Sequence, residues 1–533
     1  MGVFKLRNRI SQFLRAKSGS IAPTFAIILT FALAPTAAVT IDVARGMSGR
    51  NNLQDALDAA ALAVAHLPSG SSQATITSTA QSWLNAHLHD GSLGAVTLTV
   101  TSGTQEIDLT ATSTIQTSIG AVGSFAGLSH LPVTAHSTVK WGLNHIELAL
   151  VLDNTGSMSQ NNKLSSLQTA ATSLVDTLSA SATQSGDPNA LKIGVVPFSM
   201  TVNVGSTYKL STWMSGAMPS AYGTDIFSTT GVNRFTLLTA MGQSWGGCVE
   251  SRPMPYDIQD TAPTVTNGAT LFVPFFAPDE PDDYSIKYSS SYSGNTATKN
   301  NKTYFDFYNN YLSDVTGSTT FSTRQGYAAK YVGSPASGTH GYWGTAIGPN
   351  AGCQTAALLR LSTNMTTVKS KLNAMIAAGD TEIPLGLMWG WHLLSPNAPF
   401  ADGAAYGTAN TVKIAVLVTD GQNTYSTGVN GNNNSVYTAL GYVWQNRIST
   451  DAGDFSDPAS ALNDRLAKLC TNMKNAGVIV YTVPVEVTDT NVKSLLQSCA
   501  SSADKYVDVS SSSQLQAAFN NIAGSISSLR IAS

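Results

Sequence analysis

Three oxygen-bearing side chains stand at alternate positions in Asp153-Asn154-Thr155-Gly156-Ser157, which follows the apolar run from His145 to Leu152. In a tight turn after a strand, Asp153, Thr155 and Ser157 can bring a carboxylate and two hydroxyls toward one point. That donor set suits a hard divalent cation seeking oxygen ligands near an octahedron. The same five residues also make an ordinary strand-end turn, so by itself the pattern leaves both readings open. Catalysis has less support. A phosphohydrolase with Asp153 as nucleophile needs a second acid two residues on, where Thr155 stands, and no G-x-S-x-G, H-E-x-x-H or Walker loop is present. The chain is therefore not expected to be an enzyme.

Such a turn has to be held by a buried strand, and the run from His145 to Leu152, interrupted only by Glu147, reads as a strand covered on both faces. A regular alternation follows. A helix carries Leu164, Leu167, Ala171, Leu174 and Leu178. Then come strand LKIGVVPF, helix IPLGLMWGWHLL, strand VKIAVLVT, helix Pro458 to Asn475 and strand VIVYTVPV, and a last helix carries Leu515, Phe519, Ile522, Ile526 and Leu529. Strands alternating with helices predict an α/β fold with a mainly parallel sheet covered on both sides. The alternation breaks between about Thr201 and Ser362, which reads as a large insertion, and again from Asn423 to about Asp454. Both leave from the end of the sheet where ligands bind in open α/β folds. Trp389, Trp391 and His392 share helical spacing with Leu387 and Leu394 and read as core. The segment Trp245 to Arg252 reads either as a disulfide-pinned turn or as a binding element, and Asn430 to Asn434 lacks the acids of a calcium loop.

A chain of 533 residues predicts two or more domains. Charged residues make up 11% and the net charge is −3, so nucleic-acid binding has no electrostatic support. From Ile21 to Ile41 no residue is charged, a length that can span a bilayer as a helix, with kink positions at Pro23 and Pro35. Lys5, Arg7, Arg9, Arg15 and Lys17 precede it, which predicts a cytoplasmic N-terminus and everything after Asp42 outside. A retained anchor is favoured over a cleaved signal, because an amphipathic helix with Leu53, Leu57, Ala60 and Val64 follows at once. That helix reads as a stalk. An exported chain would oxidise Cys248, Cys353, Cys470 and Cys499. Cys470 with Cys499 is geometrically reasonable, since each ends a helix on either side of one strand, leaving Cys248 with Cys353; three pairings remain open.

The stretch SGSIAPTFAI, the apolar helix, the exit Asp42-Val43-Ala44-Arg45 and the helix LQDALDAAALAVA resemble the N-terminal region of TadE/TadG-like proteins, which serve assembly of tight-adherence (Flp) pili. Thr24 stands where the distantly related prepilins carry Glu five residues after the cleavage Gly, here Gly19, so prepilin-type processing is not expected. The pentapeptide at Asp153 matches the D-x-[ST]-x-S pattern of a metal-ion-dependent adhesion site (MIDAS). Gly379-Asp380-Thr381 and Asp420-Gly421 follow in the order seen in von Willebrand factor A domains. That resemblance implies a von Willebrand A-type, doubly wound fold in which Asp153, Thr155, Ser157, Thr381 and Asp420 hold Mg²⁺ (or Ca²⁺ or Mn²⁺). One coordination position is left for a carboxylate from a protein partner.

The expected organisation is a cytoplasmic N-terminus (1–20), a transmembrane helix (21–41), a stalk helix (42–66) and a small α+β spacer (67–142). The A domain follows in two parts, 143–201 and 363–533, around the insertion 202–362. The expected function is a cation-dependent binding module of pilus assembly or surface adhesion in the bacterial inner membrane, its C-terminal domain periplasmic or extracellular. The alternative is a structural minor component whose metal site only stabilises the fold.

Overall fold

The computed structural model describes residues 25, 34–65, 67, 71–89, 91–102, 106–117, 129–140, 145–183, 187–217, 226–281, 297–299, 302–304, 309–314, 320–336, 339–340, 345–427, 433–448 and 457–529. The basic N-terminal stretch, most of the apolar run from Ile21 to Ile41, and parts of both insertions lie outside them. Among the described residues, no helix is long and apolar enough to cross a membrane. The chain divides into two compact units, Met1–Gly142 and Leu143–Ser533.

In the first unit, helix α1 (Ala34–Ala65) and helix α2 (Gln73–His87) pack on an antiparallel sheet of β1 (Thr97–Ser102), β2 (Glu106–Gln116) and β3 (His130–Lys140), in that order. Alternation along β2 turns Ile107, Leu109, Ala111 and Ile115 inward, onto Leu53, Leu57, Ala60 and Val64 of α1. The helix read as a stalk thus shares one core with the residues read as a spacer. Edge strand β3 is covered by the same helix. Gln54 donates from Nε2 to His136 O at 2.9 Å and accepts from His136 N at 3.3 Å, so its amide stands in for a neighbouring strand.

The second unit is built on five strands: β4 (His145–Asp153), β5 (Leu191–Phe198), β6 (Leu359–Ser362), β7 (Thr411–Thr419) and β8 (Val478–Pro484). Their order is β6-β5-β4-β7-β8, all parallel except β6, which runs antiparallel to β5 at the edge. Both faces of β4 are buried, as its unbroken apolar run requires. Leu148, Leu150 and Leu152 face α3 (Lys163–Thr183), α4 (Met365–Asn373) and α8 (Leu515–Leu529), while Ala149 and Val151 face α5 (Ile383–Leu394), α6 (Pro458–Asn475) and α7 (Thr490–Cys499). Glu147, the one acid in that run, is satisfied by Lys413 Nζ at 2.6 Å and Ala404 N at 2.9 Å.

Helix α5 is buried along its whole length, not only on its sheet side. The reason is the insertion together with the segment after the helix: Phe272, braced by Trp213, and Phe400 pack on Trp389, in the same core that α5 shares with the sheet. On its inner side the helix approaches closely at two glycines. A Cβ at Gly390 would lie 2.4 Å from Val151 Cγ2, and one at Gly386 2.3 Å from Phe198 Cγ. His392 is buried, and burial pushes its imidazole well below the usual range. The two disulfides are Cys248–Cys353 and Cys470–Cys499. Within the segment Trp245 to Arg252, the Trp245 indole donates to Cys248 O at 2.7 Å, and buried Glu250 pairs with both Arg234 and Arg447.

Candidate metal centre

Parallel pairing of β4 with β7 sets Leu152 opposite Val418, so the next residues, Asp153 and Thr419, leave the sheet side by side at its carboxyl edge. Asp153 is fully buried. Its Oδ1 accepts from Thr155 N at 2.8 Å, which tightens the turn, and its Oδ2 accepts from the Thr419 hydroxyl at 2.7 Å. The turn carries Thr155 Oγ1 to 3.1 Å from Ser157 Oγ, and Ser157 donates to Asp420 Oδ1 at 2.7 Å across 263 residues of sequence. Asp153 and Thr155 are thus linked through the Thr155 amide, and Thr155, Ser157 and Asp420 through their side chains.

Thr381 arrives by a different route, on the backbone of its loop. Gly156 N donates to Gly379 O at 3.0 Å, Ala378 N to Asn154 O at 2.7 Å, and Asn154 Nδ2 to Ile376 O at 3.0 Å, so the loop before α5 is stitched onto the Asp153 turn. Gly379 has φ +83°, a left-handed conformation that favours glycine. On the other side, Thr381 N donates to Thr424 Oγ1 and Thr424 N to Thr381 O, both at 2.8 Å, which ties Thr381 to the segment after Asp420. Asp380 supports that segment by accepting from Ser426 N at 2.8 Å and Ser426 Oγ at 2.9 Å.

Burial, and after it the nearby charge of Asp420, push the Asp153 carboxyl up to about 6, against the lowering pull of hydrogen bonds from Thr155 and Thr419. Two carboxylates confined in one buried corner favour a cation between them. A cation already touches one of the two: Lys163, the first residue of α3, donates from Nζ to Asp420 Oδ2 at 2.7 Å. Among the described residues, no group of three or more His, Cys, Asp or Glu side chains is placed to hold a metal. The donor set is instead two carboxylates with hydroxyls, all hard oxygen, which fits Mg²⁺, Ca²⁺ or Mn²⁺ and not a thiolate-seeking ion.

Sequence reasoning missed Lys163, Thr419 and Thr424. Thr419 was legible as the last residue of its strand, and Lys163 as the only cation between the turn and the apolar positions of α3. Nothing in the sequence singles out Thr424.

No curated protein matches this chain. Among solved structures, it is similar to the pilus adhesin SpaC of Lactobacillus rhamnosus GG, at 13% identity and a TM-score of 0.32 over 81% of this chain and 34% of that one. The chain thus spans about a third of SpaC. It is similar to the vWF domain of the type V pili tip protein Mfa5 from Porphyromonas gingivalis, at 11% identity and a TM-score of 0.33 over 73% of this chain and 97% of that one. Proximal thread matrix protein 1 of the mussel byssus, with a zinc-occupied MIDAS motif, aligns at 13% identity and a TM-score of 0.27 over 71% and 47% of the two chains. Residues 19–66 match the Tad family, Flp pilus-assembly TadE/G-like. By that match the N-terminal segment of this chain is TadE/G-like.

Proposed function

We propose that the chain is a membrane-anchored, divalent-cation-dependent protein-binding module of the von Willebrand factor A type, acting in Flp pilus assembly or surface adhesion. The observation that carries this reading is the Ser157–Asp420 contact, which closes the turn of one strand onto the acid that follows its parallel neighbour. Asp153, Thr155, Ser157, Thr381 and Asp420 would hold Mg²⁺, with Ca²⁺ or Mn²⁺ as alternatives. A bound ion supplies a directional bond to a carboxylate from a protein partner.

The chain's own residues prepare that site. Thr419 and the amide of Thr155 fix Asp153, Asn154 holds the Thr381 loop, and Asp380 holds the segment through which Thr424 reaches Thr381. This division of labour suits a site whose ligands come from three separate loops. The apolar run from Ile21 to Ile41 would anchor the chain in the bacterial inner membrane, N-terminus cytoplasmic. Val39 and Ile41, at its outer end, are exposed on α1, as apolar residues entering lipid would be.

The test is calorimetric titration of the detergent-solubilised chain with Mg²⁺ and Mn²⁺, alongside Asp153→Ala. The reading expects saturable binding by the wild type and its loss in the variant. Equal titration curves for the two proteins would remove the site.

A further inference from the structure

Lys163 sits where an ammonium is costly. It is the first residue of α3, at the end of the helix whose unpaired N–H groups already carry partial positive charge. Its side chain is only 9% exposed, and that of Asp420 is fully buried. A buried ammonium persists only when paired, and the partner here is an acid of the candidate metal centre.

The placement is built into the backbone. Ser157 is the second residue of a short 3₁₀ segment, Gly156–Asn162, and Lys163 follows it directly; the segment ends in Asn161 and Asn162, both left-handed at φ +52° and +56°. Asparagine tolerates that conformation better than most residues. The result is that Asp420 has both oxygens engaged from one short stretch, Oδ1 by Ser157 and Oδ2 by Lys163. A second carboxylate lies within electrostatic reach of Lys163: that of Glu486, which Asn161 Nδ2 at 3.0 Å and Ser512 N at 2.8 Å hold in place.

We propose that Lys163 is a tethered counter-cation that competes with the divalent ion for Asp420 and thereby sets the affinity of the site. It neutralises Asp420 when no metal is bound. When the metal takes that acid, the Glu486 carboxylate still acts on the ammonium. The inference rests on the metal-binding reading above and adds a residue that this reading does not require. A site with an internal competitor binds its ion weakly enough to lose it, so occupancy follows the surrounding cation concentration.

The experiment is titration of the full chain in detergent with Mg²⁺ and with Mn²⁺, for wild type, Lys163→Met, Lys163→Gln and Lys163→Arg, with thermal melts of each in EDTA and in saturating Mg²⁺. Removing a unit charge a few ångströms from a divalent ion should tighten binding by roughly tenfold or more in the Met and Gln variants, while the Arg variant stays near wild type. In EDTA, the Met and Gln variants should melt below wild type, and saturating Mg²⁺ should close that gap. Met and Gln variants that bind no more tightly than wild type, yet melt with it in saturating Mg²⁺, overturn the competition and leave the metal site standing. No binding by any of the four proteins overturns both.

Discussion

The hydroxyl of Thr419 donates to Asp153 Oδ2 at 2.7 Å, joining the last residue of one parallel strand to the last residue of its neighbour. This bond holds a buried carboxylate in a set direction without using either oxygen of Asp420. Thr419→Val keeps the shape and removes the donor, which leaves Asp153 short of a partner at a cost of about 1–3 kcal/mol. Mg²⁺ affinity measured by calorimetry should fall, and Thr419→Ser should restore most of it; a Val variant that binds like wild type would argue that Asp153 is oriented by its own turn alone.

Chelation separates the binding module from the structural component. A ligand present at about a hundred times its Kd stabilises a fold by roughly 2.7 kcal/mol, so the wild-type melting temperature should rise when Mg²⁺ is added to EDTA-treated protein. Partner capture by the immobilised chain should vanish in EDTA over the same range. Capture that persists while the melting temperature drops supports a metal that serves the fold only.

The insertion should give the chain a pH-dependent stability through Glu280, whose carboxyl burial pushes up to about 8 although Tyr442 donates to it at 2.9 Å. The folded chain therefore keeps a proton that the unfolded chain releases near 4.5. Unfolding free energy, as far as this group sets it, is highest below that lower value and declines as pH rises toward 8, by a few kcal/mol in order of magnitude. Glu280→Gln should flatten the decline in denaturant melts between pH 5 and 8.5, and an unchanged slope in the variant would place its origin elsewhere.

Helix α5 lies against β4 only because residue 390 lacks a side chain. Gly390→Ala would put a methyl carbon 2.4 Å from Val151 Cγ2, two residues before Asp153. Overpacking of this kind costs about 1–3 kcal/mol. The double variant with Val151→Ala should recover a large part of that loss in chemical denaturation, which a strain located elsewhere would not allow.

The sheet of the second unit was legible because its strands are apolar runs of the right length, set between helices with a repeating apolar face. Helix α5 was legible as a helix with core residues, but not as one buried on every side. Its apolar residues lie on every side, and part of what covers the outer side comes from an insertion in which no period survives. The Asp153 turn was legible for the opposite reason, since its carboxylate and two hydroxyls lie within five residues and their spacing is itself the signal. Thr381 could be named only by resemblance, because its loop is held through its main-chain atoms, Gly379 O by Gly156 N and both Thr381 N and O by Thr424, and such bonds leave no mark on the type of residue 381. Lys163 was visible as a letter and silent as a role: its meaning depends on Asp420, 257 positions away. In the first unit, the spacing of Leu53, Leu57, Ala60 and Val64 identified the helix but not the sheet they are buried against.

The Cys248–Cys353 bridge closes a loop with a sequence separation of 105, taking in most of the large insertion. A single protease nick of the peptide inside that loop leaves both fragments joined through the bridge, so the cut insertion is not released.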